Sequence, residues 1–112
     1  MIGRHYNYDN YNCAHFVKDY YSEKLNIEIP VMNVFGLGFL RWLRHRFEQV
    51  TSPVEHCIVR MTKNGESHVG IYADYGVYHN YKPLRGTGAV VHWDLGVIKR
   101  HYDKVEFWKW SQ

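Results

Sequence analysis

Two spacings of apolar residues divide the chain. From residue 12 to 25 they follow a helix: Phe16, Val17, Tyr20 and Tyr21 form one stripe, with Lys18, Asp19 and Glu23 away from it. Asn10 or Asn12 is placed to cap its start, and the stretch from Asn26 to Pro30 ends it. A second helical pattern covers residues 33–50. Leu40, Leu43, Phe47 and Val50 recur there, Arg41, Arg44 and Arg46 fill the other positions, and Thr51-Ser52-Pro53 breaks the pattern.

Beyond Pro53 the period falls to two. Strands are predicted over Glu55–Met61, Ser67–Ala73, Val77–Asn80, Ala89–Trp93 and Lys104–Trp110. Lys63-Asn64-Gly65 and Asp74-Tyr75-Gly76 read as turns between neighbours, and Asp94–His101 as a short helical turn. Helices first and antiparallel strands afterwards make an α+β layout, with N-terminal helices packed on a sheet of about five strands. At 112 residues the chain makes one domain, 1–112, with one modest core.

Composition narrows the function classes. Hydrophobic residues make up 46% and aromatics 17%, which argues for a packed chain whose ten Tyr and four Trp fill a core or line a cleft. The net charge of +3 favours an acidic partner only weakly, and a cell-wall polymer, a phosphate backbone and a membrane surface fit it equally well. No run approaches the length of a membrane span, and residues 1–11 lack the apolar segment of a signal peptide. The expectation is a soluble protein made in the cytoplasm that binds neither nucleic acid nor membrane. Eight His invite a metal, but Cys-x-x-Cys and His-Glu-x-x-His are absent, so neither a metal nor another cofactor is expected.

Cys13 carries the candidate chemistry. It opens the first helix, where unpaired backbone N–H groups and the helix dipole favour a thiolate. Cysteine catalysis also needs an imidazole within reach and a group to orient it. His68 stands in His68-Val69-Gly70-Ile71-Tyr72, and His79 lies across the Asp74-Tyr75-Gly76 turn, so pairing the two strands brings the rings together. Gly70 leaves room for a close approach. Cys57 has no accompanying motif and reads as a buried thiol. The Arg41–Arg46 run reads as the solvated face of an amphipathic helix.

Asn12-Cys13-Ala14-His15-Phe16-Val17, the His68–Tyr72 segment and Val77-Tyr78-His79 together resemble the NlpC-type peptidases, a papain-like family that cuts bacterial cell-wall peptides. Gly88 to Val91 and the aromatic strand Val105–Trp110 are similar to the ends of small members found in phage tails. The resemblance implies a cysteine peptidase or amidase with Cys13 as nucleophile, His68 as base and His79 as its orienting group. It implies a peptidoglycan peptide as substrate, phage tail proteins as partners, and action at the bacterial wall as part of a virion. It also implies a tyrosine near the oxyanion, for which Tyr6, Tyr8 and Tyr11 are candidates, with Asn12 beside the nucleophile. Family members that cleave next to a free amine carry Asp-Cys-Ser, whereas Asn12 and Ala14 flank the thiol here. The Asn-Cys-x-His-Phe-Val form is also similar to the nucleophile motif of lecithin retinol acyltransferase-like proteins, a permuted branch with the histidine first. Two alternatives therefore stand beside the hydrolase: a thiol acyltransferase, and a non-catalytic tail assembly module on the same fold.

Overall fold

The computed structural model describes residues 13–30, 38–81 and 88–111. They form an α+β domain of three helices and one six-stranded antiparallel sheet. The elements are α1 (Cys13–Leu25), α2 (Gly38–Arg46), β1 (Phe47–Val50), β2 (Ile58–Lys63), β3 (Glu66–Ala73), β4 (Gly76–Tyr81), β5 (Ala89–Trp93), α3 (Leu95–His101) and β6 (Lys104–Trp110). Strand order is β1-β6-β2-β3-β4-β5.

Local chemistry explains the meander. Two-residue turns join β2 to β3 and β3 to β4, and their central residues are left-handed: Asn64 (φ 52°) and Gly65 (φ 79°), then Asp74 (φ 55°) and Tyr75 (φ 63°). Turns of this hand match the right-handed twist of the flanking strands. Asp94 caps α3 by accepting the Gly96 N–H at 3.0 Å. α3 then carries the chain back, so that β6 pairs with β2 on the far side of the meander. α1 ends at Asn26 (φ 55°), and the Ile27 N–H closes back on the Tyr21 carbonyl at 3.0 Å.

The sheet separates two apolar layers. Phe16, Val17, Tyr20 and Tyr21 of α1 pack with Leu43, Ile58, Val69, Ile71, Val90 and Trp108 on one face. Val59, Met61, Val77 and Phe107 pack with Ile98 of α3 on the other. Two phenols pin α1 in place: Tyr20 Oη meets His56 Nδ1 at 2.7 Å, and Tyr21 Oη donates to the His56 carbonyl at 2.6 Å. Among the described residues no helix is long and apolar enough to cross a membrane.

The second helical pattern needs correction. Described from residue 38 onward, the helix stops at Arg46, and Phe47–Val50 is an edge strand paired with β6, from Phe47↔Trp110 to Val50↔Phe107. This sixth strand replaces the predicted end of the helix. Four-residue spacing puts Leu43 and Phe47 on the core side whether Phe47 ends a helix or opens a strand. The rings of Tyr21 (5.8 Å), Trp42 (5.5 Å) and Trp110 (5.2 Å) around Phe47 favour the strand.

Candidate active site

Cys13 is the first residue of α1, and its helix leans on β3 and β4. The β3–β4 register runs from Ala73↔Gly76 to Gly70↔His79. Alternation along β3 turns the Val69 N–H toward β4, just past the end of that register. This N–H points to the Cys13 sulfur, as do the N–H groups of Ala14 and Cys13 itself. The thiol thus sits where the two strands part, one residue along the backbone from His68.

His68 and His79 alternate onto the other face of the sheet, under α3. Their rings meet edge to face, with His68 Nε2 3.0 Å from His79 Nδ1. Gly70 makes this possible. It lies directly across from His79, and a Cβ on it would stand 2.6 Å from the Tyr78 carbonyl oxygen and 2.8 Å from His79 Cβ. His79 is fully buried, and its Nε2 has no hydrogen-bond partner among the described residues. Trp93 meets the His79 ring at 4.6 Å and 81°.

Aromatic side chains enclose the pair. Tyr102, which caps α3 through its N–H to the Ile98 carbonyl at 3.0 Å, stacks on His68 at 6.1 Å and 19°. It is close enough to Cys13 and Tyr81 for their charges to act on it, and burial is the main reason that its phenol titrates above its ordinary range. His101 packs against Tyr81 (5.8 Å), Trp93 (5.3 Å) and Tyr102 (4.8 Å). Tyr102, Tyr81, Trp93 and His101 were not singled out by sequence reasoning. Tyr81 follows His79 by two residues on β4, whereas Trp93 on β5, His101 at the end of α3 and Tyr102 just past it stand 14 to 23 positions after His79 and carry no spacing signal of their own.

The electrostatics correct one expectation. The helix start favours a thiolate, but burial dominates and pushes the Cys13 thiol up to about 11, against the lowering by the N–H groups of Val69, Ala14 and Cys13. Burial, helped by the nearby His101, pulls His68 down to about 4. Burial likewise lowers His79, with His68 and His101 adding to the effect. Near neutral pH the site therefore holds a neutral thiol and two neutral imidazoles.

Tyr6, Tyr8, Tyr11 and Asn12, the candidates for the oxyanion and the substrate, lie outside the described residues. Cys57 is buried just ahead of β2, with burial raising its thiol to about 11 as well. Among the described residues, no three His, Cys, Asp or Glu side chains gather as metal ligands. No family model, curated protein or solved structure matches the chain.

Proposed function

We propose that the protein is a cysteine peptidase or amidase of the NlpC type that hydrolyses a peptide amide of the bacterial wall. Its setting would be a phage tail component acting on peptidoglycan. The observation that carries the reading is the contact of His68 Nε2 with His79 Nδ1 at 3.0 Å, with the thiol held at the N–H of Val69, the residue after His68. With Nε2 occupied, His68 has only Nδ1 free for a substrate or a thiol.

The neutral site defines the sequence of proton transfers. His68 Nδ1 takes the Cys13 proton as the sulfur attacks the carbonyl carbon. The C–N bond then breaks and His68 returns the proton to the leaving amine, giving a thioester. Water attacks the thioester while His68 accepts its proton; the C–S bond breaks and the proton returns to sulfur. This role requires His68 to carry its resting proton on Nε2 and donate it to His79 Nδ1. His79 then holds its own proton on the buried Nε2, at the ring of Trp93. The Cys13 N–H, which already points to the sulfur, would serve the oxyanion, and Tyr102, which keeps its phenolic proton to high pH and feels the Cys13 charge, is a second donor.

The test is release of soluble fragments and new amino groups from purified peptidoglycan. Wild type and Cys57→Ala are expected to release them and Cys13→Ala is not. Equal release by Cys13→Ala would overturn the assignment.

The raised thiol pKa favours a second reading, a non-catalytic tail module on the same fold. It predicts no release from any wall preparation, and particles that assemble and infect normally with Cys13→Ala.

A further inference from the structure

We propose that the end of the sheet where β3 turns into β4 is a self-complementary surface, through which two copies of this chain pair about a twofold axis. The hairpin tip of one protomer meets the basic face of α2 on its partner, and the reverse. The pairing is independent of the chemistry at Cys13.

The tip carries an aromatic that its own fold does not use. Tyr75 is almost wholly exposed at φ 63°, and its ring packs on no other ring among the described residues. Left-handed turn positions favour Gly or Asn, and the β2–β3 turn has Asn64 and Gly65 there. A bulky ring in that conformation is strained, and strain of this kind gathers at functional positions. Two carboxylates flank the ring, with exposed Val54 beside them. Glu55 Oε2 accepts the Asp74 N–H at 3.4 Å, and Asp74 Oδ2 accepts the Tyr78 hydroxyl at 2.6 Å. Among the described residues no cation pairs with either acid.

α2 presents the opposite chemistry. Arg41, Arg44 and Arg46 are exposed, the helix holds no acid, and none of the three has an ion pair among the described residues. Glu48 follows in β1, but it pairs with Lys109 at 3.3 Å. Guanidinium groups suit both parts of the tip, its carboxylates and its tyrosine ring. Register puts the two patches at one end of the sheet. Ile58 lies across from Ile71 on one side and from Trp108 on the other. Two residues past Ile71 the hairpin turns, at Ala73↔Gly76. Two residues past Trp108, Trp110 pairs with Phe47, the residue after α2. Ser111 fixes the helix end there, its N–H and Oγ donating to the Arg46 carbonyl at 3.1 and 2.9 Å. Three strand spacings, about 14 Å, separate β1 from β3, which exceeds a Debye length in physiological salt. The acids and the arginines are thus too far apart to neutralise each other within one chain. Side by side, they are matched by the same end of a second copy turned half a turn, the reciprocal contact that a twofold dimer requires.

Sedimentation equilibrium of the full chain, over a range of protein concentrations at low and high salt, tests the pairing. A reversible dimer is expected, weakened by salt. Tyr75→Asn keeps the left-handed turn and should raise the dissociation constant by about tenfold or more, as loss of a central aromatic does. Arg41→Glu with Arg44→Glu should give a monomer, and so should Glu55→Arg with Asp74→Asn. An equimolar mixture of those two proteins should recover dimers, because each tip then faces an α2 of opposite charge.

Wild type that sediments as a monomer up to about 1 mM would overturn the proposal. So would a dimer indifferent to Tyr75→Asn, or a mixture of the two charge variants that stays monomeric. Thermal melts followed by circular dichroism show whether each variant folds. Where a charge variant does not, the salt dependence and Tyr75→Asn decide the outcome by themselves.

Discussion

Replacing Gly70 by Ala should uncouple His68 from His79 while leaving both rings in the chain. The added methyl would lie 2.6 Å from the Tyr78 carbonyl oxygen, 2.8 Å from His79 Cβ and 3.1 Å from Val77 Cγ1. The first two atoms are backbone and the root of a side chain, so neither can swing aside. β3 and β4 must part, at the level where Gly70 pairs with His79. Overpacking of this kind costs about 1–3 kcal/mol. In a domain of this size that lowers the melting midpoint by roughly 4–8 °C per kcal/mol. Gly38→Ala is the control, because among the described residues nothing lies within 4 Å of its added Cβ, and its stability should stay within about 0.5 kcal/mol of wild type. Urea unfolding gives the stability change, and nitrogen chemical shifts of the two imidazoles report whether Nε2 of His68 still bonds Nδ1 of His79. A Gly70→Ala protein as stable as wild type, with those shifts unchanged, would refute the claim that this glycine sets the histidine pair.

Three further outcomes follow from the same geometry. Because burial raises the Cys13 thiol to about 11, its rate of labelling by iodoacetamide should keep climbing above pH 9, and a plateau at or below pH 7 would mean a preformed thiolate. His68 is pulled down to about 4 in the fold from its ordinary value of 6.5, so its stabilising effect is complete above about pH 6.5 and fades as pH falls toward 4. The loss should reach about 3 kcal/mol, read as urea midpoints at pH 7.5, 5 and 4; His68→Asn should flatten the trend, and an acid trend identical to wild type would contradict it. Tyr75 stands 90% exposed at φ 63° in the β3–β4 turn. Relief of left-handed strain there should make Tyr75→Asn more stable by about 1 kcal/mol, and a lower melting midpoint would count against the strain.

Much of the framework was legible because local signals and tertiary packing agree. The stripe Phe16, Val17, Tyr20 and Tyr21 is buried along α1, and the strand read at Ala89–Trp93 and the one at Lys104–Trp110 have the predicted bounds. The turn residues Asn64-Gly65 and Asp74-Tyr75 marked both hairpins. The β1 strand was hidden because Leu43 and Phe47 fit a helical stripe, while its evidence is a partner strand more than fifty residues later. In the site, the His68–His79 contact could be anticipated from the hairpin, since pairing register follows from the short turn. The thiol's ionisation could not. The helix-terminus rule is local, whereas the burial that overrides it comes from the packing of α1 on the sheet. The ring contacts of His101 and Tyr102 with the site depend in the same way on where α3 lands.

The central claim is that Cys13 forms the covalent intermediate. Wall fragments mixed with the protein, quenched in acid within a turnover and mapped by mass spectrometry, test it most directly. The account predicts an acyl mass on the peptide containing Cys13, labile to hydroxylamine, absent in Cys13→Ala and persisting longer when His68 is replaced by Ala. No adduct at Cys13 under conditions where fragments are released, or an adduct on Cys57 instead, would contradict it.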